Sequence, residues 1–192
     1  MGNVLENRVA PRHAELSAEK RALLEKRLRG AAKGSANRAG IPRRADRTTA
    51  PLSFAQQQLW FLDQLAPNSA LYNLCAAVRL KGPLQRDALQ KALGAIVARH
   101  ESLRTRFVAV EGNPAQVIDP PKPVELPVLD LTALPAQSLE AEARRRLADE
   151  ARRPFDLTRD LMLRAALLRL GGAEHILCVT AHHIAADGWS LM

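Results

Sequence analysis

Near the end of the 192-residue chain stand two adjacent histidines, His182 and His183, followed after three small or apolar residues by Asp187 and Gly188. Imidazole is the side chain whose unperturbed pKa falls closest to neutrality, so such a group can accept a proton from a reacting group or hydrogen-bond it. What matters is how the backbone presents the two rings. His175-Ile176-Leu177-Cys178-Val179-Thr180 is a mostly apolar run bounded upstream by Gly171-Gly172, the pattern of a buried strand. Asp187-Gly188 reads as a turn, because Asp bonds its own backbone and Gly permits positive φ. Successive side chains of a strand point to opposite faces. His182 and His183 therefore do not share a cavity: one faces the packing of the sheet and the other faces out. The same divergence argues against a metal site built from His182, His183 and Asp187. A histidine at a strand end is either a satisfied packing residue or a reactive one, and spacing alone leaves both readings open.

Three stretches together carry a family resemblance. His182-His183-x-x-x-Asp187-Gly188 resembles the histidine motif of the condensation domains of nonribosomal peptide synthetases, within the chloramphenicol-acetyltransferase-like superfamily. Ser53-Phe54-Ala55-Gln56-Gln57-Gln58-Leu59-Trp60-Phe61-Leu62 resembles that family's first motif. Arg99-His100-Glu101-Ser102-Leu103-Arg104-Thr105-Arg106-Phe107 resembles its second. They occur in the family's order and span about residues 49–192. Gln58 stands where many members carry arginine, and the chain ends at Met192, roughly where the first half of such a domain ends.

The resemblance implies an α/β fold: the N-terminal half of a two-lobe chloramphenicol-acetyltransferase-like architecture, a mixed sheet with covering helices. It implies amide formation, in which a carrier-tethered amine attacks an upstream acyl or peptidyl thioester. His183 is then the catalytic residue, as base or as positioning group, and His182 a buried support. Asp187 either orients His183 or bridges to an arginine of the second motif, Arg99 or Arg104, the bridge being the preferred reading. Gly188 serves the backbone, and Trp189 packs or lines the mouth of a channel. No metal and no directly bound cofactor is implied; substrates ride on the phosphopantetheine of upstream and downstream carrier domains. A C-terminal lobe and an adenylation domain are the other expected partners, and the isolated half is expected to be inactive. Two alternatives stay in view. One is a superfamily acyltransferase using coenzyme A or a soluble acceptor; the other is a non-catalytic docking or carrier-binding fragment.

The net charge of +8 raises a nucleic-acid reading, and its distribution answers it. Residues 1–50 carry 12 Lys and Arg against 5 Asp and Glu, and the remainder 16 against 15. The basic surplus thus belongs to a leader, 1–48, ahead of a nearly neutral lobe, 49–192. That leader holds no Phe, Trp or Tyr on which bases could stack, so no nucleic-acid partner is expected. SAEKRALLEKRLR, residues 17–29, predicts a short helix with a narrow apolar stripe, followed by a Gly- and Ala-rich linker. It reads as a tether, or as a helix that docks an acidic tail of an upstream protein, since the lobe begins too near the initiating Met for a carrier to precede it. No apolar run approaches 18 residues, so no membrane span is expected, and without a signal peptide the expected location is cytoplasmic. Cys75 and Cys178 have no metal spacing and read as buried free thiols.

Within the lobe, Ser53 and Gln56 fit a capping box opening a helix to about Leu65. Residues 72–80 predict a strand, and Leu89, Leu93, Ile96 and Val97 an amphipathic helix reaching about His100. Residues 103–110 and 115–118 predict a hairpin. Residues 119–135, with five prolines, predict a surface connection with one short edge strand. A helix over 137–153 and strands over 161–170 and 175–181 complete the reading.

Overall fold

The computed structural model describes residues 44–191; the helix expected over 17–29 lies outside the described residues. Among the described residues there are two sheets. The smaller has strand order β1-β4-β3, formed by β1 (Thr49–Pro51), β3 (Thr105–Val110) and β4 (Asn113–Ile118), all antiparallel. The larger runs β2-β7-β6-β5, from β2 (Asn73–Lys81), β7 (Glu174–His182), β6 (Leu163–Arg169) and β5 (Val128–Asp130). It is mixed, because β5 lies parallel to β6 while the other pairs are antiparallel. The larger sheet is the expected mixed one, and the hairpin forms a second, smaller sheet with β1. The three-residue β1, just before the first motif, pairs with this hairpin and is too short to leave a periodic signal.

Three α-helices accompany the sheets among the described residues: α1 (Phe54–Leu65), α2 (Arg86–Arg99) and α3 (Ala136–Arg152). At α1 the capping box is made: the Ser53 hydroxyl accepts from Gln56 N, and Gln56 Oε1 accepts from Ser53 N at 2.9 Å. The helix stops before Asn68, which sits in the left-handed region at φ 62°. The hairpin turns through Glu111 (φ 51°) and Gly112 (φ 80°), two consecutive positive φ values that match the right-handed twist of the flanking strands.

The central strands bury both faces. Leu163, Ala165 and Leu167 pack with Leu93 and Val97 of α2, while Leu168, Leu170 and Ile176 pack with Ala143 of α3. A third cluster, Leu52, Phe107, Phe155, Leu157, Met162 and Ile184, lies where the two sheets meet. One expectation is corrected and another refined. Ile96 is 45% exposed despite its helical spacing. The proline-rich stretch runs mostly exposed along the surface and supplies the short edge strand β5, as expected, but Val124 and Leu126 turn into the core at 3% and 1% exposure. Its buried carbonyls need partners that a sheet would otherwise give; Gln90 Nε2 donates to Val124 O at 2.9 Å and Arg86 Nη2 to Leu126 O at 3.0 Å. Side chains of α2 thus let an irregular segment enter the core.

Candidate active site

β7 delivers the histidines. It is paired along its length, on one side with β2 and on the other with β6, so its end is fixed against two neighbours. His182 N donates to Met162 O at 3.2 Å and His183 N to Tyr72 O at 2.9 Å. Beyond them the chain tightens into a turn, with Ala185 N donating to His182 O at 3.0 Å. Ile184 reaches down into the cluster between the sheets, which anchors this turn to the core.

The two rings diverge as strand geometry requires. His182 is 3% exposed and meets the Phe155 ring edge-on at a centroid distance of 5.8 Å. Its Nδ1 accepts from Ile184 N at 3.2 Å. Burial, with lesser contributions from His183 and Arg164, pushes its pKa down to about 4, so it is a neutral packing and hydrogen-bonding group near pH 7. His183 is exposed. Its Nδ1 lies 3.1 Å from Ala186 O. A carbonyl only accepts, so Nδ1 carries the hydrogen and, in the neutral ring, Nε2 keeps the lone pair. Of the two, His183 is the ring available to a reacting proton.

His183 borders a groove of about 520 Å³, with Ser53, Gln56 and Leu59 of the α1 region on one side and Asp187 and Ser190 on the other. Gln56 was legible as a helix cap, but the structure adds a second task. Its Nε2 donates at 3.3 Å to Ile184 O and at 3.3 Å to Gln116 Oε1, and Gln116 Nε2 donates at 2.8 Å to Pro51 O. This glutamine pair joins α1, the smaller sheet and the histidine turn. No local signal could have revealed it, since Gln56 and Ile184 are 128 residues apart. A second hollow of about 410 Å³, bordered by Lys122, Arg153, Arg159 and Arg164, contains neither histidine.

The second motif lands elsewhere. The arginine bridge expected for Asp187 gives way to Ser190, whose N and Oγ donate to Asp187 Oδ1 at 2.9 and 2.7 Å and hold its carboxyl below the usual range. Asp187 lies in a solvent-facing turn, where a carboxylate is hydrated and has no need of a cation. Arg104 Nη1 donates to the carbonyl of Asp119, and Nη2 lies 3.8 Å from Glu101. Arg99 is exposed in the last turn of α2. The arginine of this motif that does meet an aspartate is Arg106, bonded to both carboxylate oxygens of Asp119, which Lys122 also reaches. Gly188 has no positive φ. Trp189 is 82% exposed.

Comparison with known proteins places these features. Residues 46–192 match the family model described as Condensation domain. Phosphinothricin tripeptide synthetase PhsC of Streptomyces viridochromogenes is 46% identical over 181 residues, covering 94% of this chain and 17% of that protein. That similarity outruns the family match and so takes in residues before 46. The isonitrile lipopeptide synthase of Mycobacterium tuberculosis is 47% identical over 143 residues, 73% of this chain and 6% of that protein. Among solved structures, the starter condensation domain of rhizomide synthetase RzmA superposes with a TM-score of 0.67 at 30% identity, covering 74% of this chain and 35% of that one. The first condensation domain of the calcium-dependent antibiotic synthetase gives 0.68 at 31% identity, over 76% and 36%. The chain therefore spans about a third of the solved domains and less than a fifth of these synthetases.

Proposed function

The chain belongs to the condensation-domain family of nonribosomal peptide synthetases, and from that premise we propose that it supplies the histidine-bearing lobe of a domain that joins a carrier-bound acyl or peptidyl thioester to a carrier-bound aminoacyl group. The observation that carries this reading is the exposed His183, with Nδ1 committed to Ala186 O and Nε2 left as acceptor beside an open groove. When an amine attacks a thioester carbonyl, the nitrogen gains positive charge and must lose a proton. Nε2 can take that proton or hold the nitrogen in line. Donor and acceptor are held together by their carriers, so the larger contribution is positioning, worth up to about 7–11 kcal/mol in well-oriented cases.

The partners of this reading are upstream and downstream carrier domains, whose phosphopantetheine arms present the substrates, a second lobe that closes the groove, and an adenylation domain that loads the acceptor. Exposure of Phe54 (90%) and Leu65 (65%) on α1 supports a missing wall. A second reading, a starter-type use of acyl-coenzyme A as donor, draws support from an RzmA starter domain solved in complex with C8-CoA, with a TM-score of 0.66. The test offers the complete domain a carrier-bound aminoacyl acceptor, with either a carrier-bound acyl donor or the same acyl group on coenzyme A. A new amide on the acceptor carrier, seen by intact mass with the carrier donor alone, supports the first reading. Product from the coenzyme A donor supports the second, and no amide from either sinks both.

A further inference from the structure

The cysteines depart from the reading as two buried free thiols. Cys178 of β7 is 1% exposed, but Cys75 of β2 is exposed. Their sulfurs lie 3.5 Å apart, although the residues are 103 positions apart in the chain. In the strand register Cys75 faces Thr180 and Cys178 faces Ala77, so the thiols are diagonal neighbours on one face of the sheet. Nothing in the amide-forming chemistry uses them.

We propose that Cys75 and Cys178 form a reversible, oxidant-responsive dithiol site whose co-reactant is a peroxide, tying β2 to the strand that carries the histidines. The roles of the two sulfurs differ by environment. Cys75 is open to solvent, and its thiol is pulled down to about 6, first by the hydrogen bond from Cys178 and further by Thr180 and the charge of Arg164, against burial and Glu150. Cys178 is pushed the other way by the Cys75 thiolate and by burial. The thiolate, not the thiol, is the nucleophile, so Cys75 attacks first.

In the first step the Cys75 thiolate attacks one peroxide oxygen, the O–O bond breaks, and hydroxide leaves, giving Cys75 sulfenic acid. The negative charge that opposed ionisation of Cys178 is then gone. In the second step Cys178 sulfur attacks the Cys75 sulfur, an S–S bond forms, the S–OH bond breaks, and the thiol proton leaves with the hydroxide as water. Overall two thiols and one hydrogen peroxide give one disulfide and two waters. The sulfurs must close by about 1.5 Å to reach bonding distance. Because diagonal neighbours are more widely spaced than opposed ones, closure draws β2 towards β7 in the strand that ends at His182.

The test treats the intact folded polypeptide with hydrogen peroxide, blocks residual thiols, and measures intact mass and peptide maps. The expected result is loss of both thiols together, a mass lower by two hydrogens, a linked peptide pair containing Cys75 and Cys178, and recovery on reduction with dithiothreitol. In Cys75→Ser, Cys178 should stay reduced. In Cys178→Ser, dimedone should capture Cys75 as its sulfenic acid. The proposal is overturned if the parent protein stops at a Cys75 sulfenic or sulfinic acid with Cys178 unmodified, if the disulfide joins two molecules, or if both thiols survive peroxide that oxidises free cysteine. The parent measurement needs no variant, so a misfolded substitution does not blur the outcome.

Discussion

Gln56 Nε2 stands 3.3 Å from Ile184 O, and this contact ties the start of α1 to the turn that follows the histidines. The same amide closes the cap of α1 through its oxygen. Gln56→Glu keeps the oxygen for Ser53 N but replaces the donor by a carboxylate oxygen facing a carbonyl. The variant should hold its melting temperature near the parent's while amide formation falls about ten- to a hundredfold, as expected when a reacting group is displaced by about an ångström. Unchanged turnover with a correctly folded variant would remove Gln56 from the positioning of His183.

His183 and His182 should separate in their effects. In the complete domain His183→Ala should lower amide formation by about 10²–10⁴-fold, the range for a general base, with little loss of folding. His182→Phe should chiefly lower soluble yield, because the ring that accepts from Ile184 N is buried. Equal catalytic losses in two well-folded variants would contradict this division.

The buried neutral His182 also sets a pH dependence. Its folded pKa of about 4 lies below the unperturbed value near 6.5, so between them the unfolded chain binds the proton and the folded chain does not. Stability from this residue is complete above about pH 6.5 and is lost as pH falls towards 4, by up to about 3 kcal/mol. His182→Asn, whose amide oxygen can replace Nδ1 as acceptor, should therefore be destabilised at pH 7.5 but lose that deficit near pH 5. Denaturant midpoints of both proteins at the two pH values measure it; a constant gap would show that His182 is not held neutral.

Asp119, rather than Asp187, should be the aspartate whose removal destabilises the lobe. Its side chain is 13% exposed between Arg106 and Lys122, and Arg106 and Lys122 hold its carboxyl below the usual range. Asp119→Ala leaves Arg106 without its bidentate partner and should cost about 1–3 kcal/mol. That contribution is present above the unfolded aspartate pKa near 3.9 and fades as pH falls below it. Asp187→Asn, on a solvent-facing turn, should leave the melting temperature almost unmoved. A larger shift for Asp187→Asn than for Asp119→Ala would restore the arginine bridge.

The exposed apolar side chains of α1, with Trp189 beyond β7, predict how the lobe behaves alone. Phe54, Phe61, Leu65 and Trp189 are between 57% and 90% exposed, and large apolar patches favour association. The isolated 192-residue chain should sediment with a concentration-dependent mass and form no amide from two carrier-bound substrates. Condensation by a monomer would show the second lobe to be dispensable.

The sequence by itself determined what depends on near neighbours. Ser53 and Gln56, three residues apart, wrote their own helix cap, Glu111-Gly112 wrote its turn, and the alternation of a strand was enough to send the two adjacent histidines to opposite faces. Adjacent rings on an extended backbone have no other choice. The family resemblance, not the spacing, named His183 as the reactive one. The tertiary structure decided what depends on residues distant in the chain. Arg106 rather than Arg104 meets the Asp119 carboxylate, as its diagonal neighbour across the β3–β4 hairpin, while Arg104, directly opposite, donates to the Asp119 carbonyl. Val124 and Leu126 of the proline-rich stretch enter the core where side chains of α2 take their carbonyls. Cys75 reaches Cys178 through the pairing of β2 with β7, and Gln56 reaches Ile184 because a shared apolar cluster draws the two sheets together. Hydrogen bonds and charges choose partners by distance in space, and that distance is set only once the core has packed.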